Sequence, residues 1–142
     1  MTIVKEMTLI EAENAIVEEF SMYEEWLDKY EYLIELGKSL QDYPEAAKTD
    51  DKLIKGCQSR VWLDYKMEDG KVVFNADSDA IITKGIISLL IGLYSGRTPQ
   101  EILSSDFSVV EKIGLKENLS PTRANGLVSM IAKIREIAGK NM

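Results

Sequence analysis

Cys57 is the only cysteine in a chain of 142 residues. It stands in the run Lys55-Gly56-Cys57-Gln58-Ser59, with no apolar side chain on either side. A thiolate attacks sulfur, and nearby positive charge favours it over the thiol. Lys52, Lys55 and Arg60 supply such charge in a chain that is otherwise acidic, with 24 Asp and Glu against 17 Lys and Arg and a formal charge of −7. Gly56 removes bulk beside the thiol and permits backbone shapes that other residues resist. The competing reading is a small buried hydrophobe, the usual role of an isolated cysteine.

What is missing narrows the chemistry further. There is no histidine, hence no imidazole base, no zinc–histidine site and no Ser-His-Asp triad. One thiol makes no internal disulfide, no CxxC pair and no four-thiolate cluster site. No acidic run has EF-hand spacing. The surplus of negative charge argues against a general affinity for nucleic acid or anionic membrane. Glu6, Glu11, Glu13, Glu18 and Glu19 break the basic-then-apolar order of a secretory leader. The most apolar stretch, Ile81 to Tyr94, contains Lys84 and is too short to cross a bilayer. The expected compartment is the cytoplasm, where a free thiol stays reduced.

The elements that position Cys57 follow from pattern. The length is that of one domain, spanning residues 1–142, and 45% hydrophobic with 29% charged residues is globular usage. Ala12, Ile16 and Phe20 recur as on an amphipathic helix. Ser21 and Glu24 suggest a capping box for a second helix, with Tyr23, Leu27, Tyr30 and Ile34 on its apolar face beside Trp26 and Leu33, and with Gly37 and the run from Leu40 to Asp42 marking its end. The segment from Tyr43 to Lys55 is polar and irregular. Val61, Leu63, Tyr65 and Met67 then alternate with Arg60, Trp62, Asp64 and Lys66 as in a strand, Asp69-Gly70 is a hairpin turn, and residues 71–76 return as its partner. Two strands are a minimum, so a third is expected nearby, drawn from the segment before Cys57.

Asp77-Ser78-Asp79 offers caps for a helix starting near Ala80. That helix is apolar nearly all round and should be the central packing element, with Gly85 and Gly92 explained by close approach of a strand or a second helix. Thr98-Pro99 and Ser120-Pro121 each begin a helix, and a short helical piece covers Val109 to Ile113. Along the last helix Ala124, Leu127, Ile131, Ile134 and Ala138 recur until Gly139. The fold class is α+β, a small antiparallel sheet packed against helices.

Residues 55–62, Lys-Gly-Cys-Gln-Ser-Arg-Val-Trp, resemble the motif around the persulfide-carrying cysteine of SufE-type cysteine desulfuration proteins. Two later blocks are similar to the same family in the same order: Asp77-Ser78-Asp79-Ala80 through Lys84-Gly85 to Tyr94, Thr98 and Pro99, and Leu119-Ser120-Pro121 with Arg123, Gly126, Leu127 and Met130. Leu33-Ile34-Glu35-Leu36-Gly37 fits the family's opening region, so the resemblance runs from about Tyr23 to the C-terminus. Lys52 stands where several relatives carry an asparagine.

The resemblance implies a SufE/NifU-like fold and a sulfur acceptor that serves a cysteine desulfurase as its accessory rather than a stand-alone enzyme. Such a protein takes persulfide sulfur onto Cys57 and passes it to an iron–sulfur cluster scaffold. It implies no cofactor on this chain, since pyridoxal phosphate belongs to the desulfurase, and no nucleic-acid or membrane partner. It also implies a thiol that rests sheltered and is exposed when its loop moves on the partner. Arg123 matches an arginine of the family's last-helix motif and is a candidate to hold the loop or to bind Asp77 or Asp79 through its fork of donors. Ser59 is a candidate to steady the loop through a local backbone hydrogen bond. The alternative is a regulatory partner of the desulfurase that carries no sulfur. A cluster scaffold is disfavoured, because one thiolate and no histidine give too few ligands.

Overall fold

The computed structural model describes residues 7–40 and 42–142; Gln41 and the first six residues, including Glu6 of the acidic run, lie outside them. Helix α1 (Leu9–Ser21) opens with a capping box in which the Thr8 hydroxyl accepts from the Glu11 N–H and the Glu11 carboxylate accepts from the Thr8 N–H. It buries Leu9, Ala12, Ile16 and Phe20, the expected stripe.

The capping box expected at Ser21 and Glu24 does not form. Ser21 donates its hydroxyl back to the Glu18 carbonyl, and α2 (Trp26–Lys38) starts from Glu25 with no side-chain cap. The buried face of α2 is Leu33, Leu36 and Gly37, while Leu27 is 70% exposed. The helix ends at Lys38, between Gly37 and Leu40 as expected, but Gly37 itself has a packing role. It lies one residue inside the helix, where a Cβ would come 3.0 Å from the Gly85 backbone nitrogen.

The core is built around α3 (Ile81–Tyr94), which buries Ile86, Ile87, Leu89, Leu90 and Leu93 to 1% exposure or less. Each such side chain contributes about 1.5–3 kcal/mol relative to an exposed one. α3 packs on α2, on the sheet and on the last helix. Gly85 has the close neighbour expected of it: a methyl there would fall inside the Leu33 carbonyl group of α2, 2.6 Å from its carbon. Gly92 has no atom within 4 Å of such a methyl, so close approach does not account for it.

The hairpin pairs β1 (Val61–Glu68) with β2 (Lys71–Ser78) antiparallel, Val61 opposite Ser78 and Glu68 opposite Lys71. Asp69 and Gly70 turn it with φ of 53° and 77°, the left-handed pair that matches strand twist. No third strand forms among the described residues. The segment before Cys57 instead makes two single turns of 3-10 helix, at Glu45–Ala47 and Asp50–Lys52, and a lone bridge from Leu53 to Trp62. Lys48 lies over the Trp62 ring at 5.3 Å. Trp62 is therefore buried beside Val61 and Leu63, and β1 grades from buried to exposed along its length without the expected alternation, which β2 shows instead.

β2 runs through Asp77 and Ser78, so α3 is entered from Ala80 with no side-chain cap. Beyond α3 come α4 (Pro99–Ser104), α5 (Val109–Lys112), an additional turn α6 (Leu115–Asn118) and α7 (Pro121–Lys140), which continues through Gly139. α4 carries the capping box of Thr98 and Glu101, and Ser120 caps α7. α7 buries Gly126, Leu127, Met130, Ile134, Ile137 and Ala138, leaving Ala124 and Ile131 half-buried at its edge. The result is an α+β architecture, a two-stranded antiparallel sheet packed against helices. Among the described residues no helix is long and apolar enough to cross a membrane.

Candidate functional site

Cys57 lies near the tip of a six-residue loop, 55–60, whose two ends are tied together. The Ile54 N–H donates to the Val61 carbonyl at 2.9 Å. At the far end the Arg60 peptide is gripped on both edges: its N–H donates to Asp79 Oδ1 at 3.1 Å, and its carbonyl accepts from Ser78 Oγ at 2.7 Å and from the Asp79 N–H at 3.2 Å. The preceding segment is tied to the sheet by Lys48 to Asp77 at 3.2 Å and Lys52 to Asp64 at 2.9 Å. The loop is thus a short flap on a stiff stem.

Between those ends the chain crosses α7. Gly56 has φ of 92°, and a methyl on it would collide with Ser129 Oγ and lie 3.4 Å from Ser129 Cβ. Only glycine both takes that φ readily and lets the loop lie this close to the helix. The next residue turns its sulfur onto α7: a methyl on Gly126 would sit 3.4 Å from Cys57 Sγ, and the thiol donates to the Gly126 carbonyl at 3.6 Å. The sulfur is half-buried and packs against the hydrophobic core.

The positive neighbours do not set the thiol's ionisation. Burial pushes the Cys57 pKa up, and no cation offsets it. Lys52 is engaged by Asp64, and the side chains of Lys55 and Arg60 are exposed. The expectation of a thiolate favoured by nearby charge is therefore corrected for this conformation: desolvation disfavours the charged form, and the weak S–H bond to a carbonyl holds the proton.

Cys57 opens onto a cavity of about 240 Å³ lined by Ser59 of the loop, Thr83 and Ile86 of α3, and Arg123, Gly126 and Met130 of α7. A wider hollow of about 750 Å³ lies between α7 and the segment 50–55 and contains no thiol.

The structure brings Cys57, Ser59 and Arg123 to one cavity and leaves the two aspartates outside it. Arg123 pairs with neither. Asp77 takes Lys48 and Lys84, each at 3.2 Å, and Asp79 takes the Arg60 N–H. Burial alone would raise Asp77, but the Ser78 N–H, Lys84 and Lys48 outweigh it and hold its carboxyl below the usual range. The Arg123 side chain makes no hydrogen bond or ion pair among the described residues, and Ser59 makes no bond to the loop backbone, so neither holds the loop in the way expected of it. Asp79 and Ser78 do hold it, at Arg60. Thr83 and Ser129 escaped the sequence reading. Each is a small polar residue in an amphipathic pattern, and only the packing shows which one meets the loop and which the cavity.

A family model described as SufE, Fe-S metabolism associated domain, matches residues 14–138. An uncharacterized SufE-like protein of Rhizobium meliloti is 41% identical over 130 residues, covering 88% of this chain and 93% of the relative. A second, from Rhizobium etli, is 41% identical over 130 residues, 88% of each chain. In fold, the chain is similar to the solution structure of a hypothetical protein from Thermus thermophilus, with a TM-score of 0.75 at 21% identity over 91% of this chain and 94% of that one.

Proposed function

The chain belongs to the SufE family, and from that premise we propose that it is a sulfur carrier: it accepts sulfane sulfur on Cys57 from a cysteine desulfurase and delivers it to an iron–sulfur cluster scaffold. The observation that carries this reading is the placement of the chain's one thiol, half-buried on a short glycine-hinged flap whose stem is tied at both ends.

The step suits one cysteine. The Cys57 thiolate attacks the outer sulfur of the donor's persulfide. A bond forms between Cys57 Sγ and that sulfur, the donor's sulfur–sulfur bond breaks, and the donor cysteine leaves as a thiolate, with no net oxidation or reduction. A second thiol beside the product could displace sulfide and close a disulfide, and this chain has none. The desulfurase's pyridoxal phosphate supplies the chemistry that makes the donor persulfide, and this chain needs no cofactor of its own. Residues 1–142 act as one such unit in the cytoplasm. Sheltering in the resting flap protects the sulfur from oxidation, and docking on the desulfurase lifts it out.

The test is Cys57→Ser against the parent, with the desulfurase of the same genome and cysteine as substrate. The parent gains the mass of one sulfur atom on Cys57 and speeds cysteine turnover without added reductant; the variant folds and does neither. A variant that stimulates the desulfurase as the parent does would replace the carrier by a purely regulatory partner. A variant that fails to fold would make Cys57 a packing residue.

A further inference from the structure

Thr83 is 94% buried (6% exposed) in the third position of α3 and lines the Cys57 cavity, yet its hydroxyl meets no hydrogen-bond partner among the described residues. Among the described residues no fully buried side-chain polar atom lacks a partner, so this hydroxyl keeps access to open space, and a donor that opens on a cavity is available to a guest. One neighbour points the same way. Arg123 lines the same cavity with no partner for its guanidinium. A donor hydroxyl and a guanidinium around one small space are surroundings an anion would take.

The anion that fits belongs to Cys57 itself. In the resting thiol the sulfur faces the Gly126 carbonyl, an acceptor that favours S–H, and burial disfavours charge at that atom. A persulfide carries its charge one atom farther out. We propose that this cavity is the subsite for the terminal sulfur of the Cys57 persulfide, held as its anion by the Thr83 hydroxyl, with Arg123 supplying positive potential. The proposal rests on the carrier reading and deepens it. When the thiolate takes a sulfur, the new terminal atom either keeps the negative charge or releases its proton to solvent, and no further reagent is needed. The charged groups around the cavity are accounted for: Arg123 is the one that lines it, Lys84 is engaged by Asp77, Asp79 by the Arg60 N–H, and Lys55 and Arg60 are exposed. Thr83 is thus a residue that holds cargo, distinct from the thiol that acquires it.

The test loads the full chain with inorganic polysulfide, which needs no desulfurase, confirms one added sulfur on Cys57 by mass, and follows the near-ultraviolet absorbance of the persulfide anion against pH. Thr83→Val keeps the shape and removes the donor. The persulfide is expected to titrate about one pH unit higher in this variant, a tenfold change in ionisation constant. Thr83→Ser should restore the parent's titration. The unloaded thiol, whose hydrogen bond goes to the Gly126 carbonyl and not to Thr83, should titrate alike in all three. Should the valine variant not fold, Thr83→Ala makes the same deletion. Equal persulfide titrations in parent and hydroxyl-free variant, an equal shift of the unloaded thiol, or refusal of the parent to take sulfur from polysulfide would each overturn the subsite. Loading by polysulfide with none from a desulfurase would instead sink the carrier reading and leave the subsite to be judged by its titration.

Discussion

Replacing Gly56 by alanine tests whether the shelter of Cys57 depends on that single hinge. At φ of 92° a side chain is strained, by about 1–2 kcal/mol on the scale of left-handed backbone for an L-residue. The new methyl also collides with Ser129 Oγ, so the flap can no longer lie flat on α7. The stem bonds at Ile54–Val61 and at Arg60 are not touched by the change. The closed flap should therefore lose about 1–2 kcal/mol relative to the open one while the fold stays intact, a shift of about 5- to 30-fold in the ratio of closed to open. Leaving the shelter also lets the thiol pKa fall back toward its ordinary value, which adds in the same direction. The assay is the rate of Cys57 alkylation by iodoacetamide, with the peptide Lys-Gly-Cys-Gln-Ser as the ceiling. The parent should react more slowly than the peptide, and Gly56→Ala should move most of the way toward it while still melting cooperatively, at a melting temperature lower by no more than about 8 °C. Gly56→Ala combined with Ser129→Gly removes the collision and leaves the backbone strain, so it should fall between. An alanine variant that alkylates at the parent's rate would refute the idea that the closed flap is what protects the sulfur.

Two further outcomes follow from the packing and the pH. Gly85→Ala should destabilise the protein by about 1–3 kcal/mol, since its methyl meets the Leu33 carbonyl of α2, whereas Gly92→Ala, with open space around it, should stabilise it by up to about 1 kcal/mol through helix propensity; thermal melts of the two variants check the pair. Because burial raises the Cys57 pKa in the folded protein, the folded state holds that proton more tightly than the unfolded chain, whose thiol titrates near about 8.5. That contribution to stability is complete below the unfolded value and is lost as pH rises through the folded one. Melting temperatures measured from about pH 7 to pH 10 should fall more steeply for the parent than for Cys57→Ser.

Much of the fold was legible because its signals are local. The Thr98 capping box, the Asp69-Gly70 turn and the nearly all-apolar α3 each state their structure within a few residues. The misreadings arose where distant packing decided. Ser21-x-x-Glu24 has the form of a capping box, but the last turn of α1 claims the serine. The segment before Cys57 supplies a bridge rather than a strand, because Lys48 and Lys52 tie it down by side chains instead of a ladder. At the site, Cys57 was legible from its uniqueness and its motif, whereas its ionisation was not. Sequence places Lys52, Lys55 and Arg60 near the sulfur, but only the fold shows that Asp64 claims one and solvent the others.

On the proposed carrier reading, shelter and nucleophilicity oppose each other at one atom, and the flap's construction would separate them in time. A buried thiol next to a carbonyl is protonated and slow, which suits a protein waiting for its donor. The same sulfur must be ionised and in reach to attack. Opening need not disturb the fold, because both ends of the flap are fixed outside the moving part, at Ile54–Val61 and at the Arg60 peptide. What opening breaks is one weak S–H bond to Gly126 and a small apolar contact, a cost of about 1–2 kcal/mol at about 25 cal/mol per Å². A docking surface that binds the open flap better than the closed one can supply that. Three residues of extended chain reach about 10 Å, enough to carry Cys57 off α7 and into a partner's cleft while the core stays closed. A longer or looser loop would reach farther, but it would leave the sulfur exposed to oxidants for more of the time. On that reading the stiff stem is as much a part of the proposed chemistry as the thiol it presents.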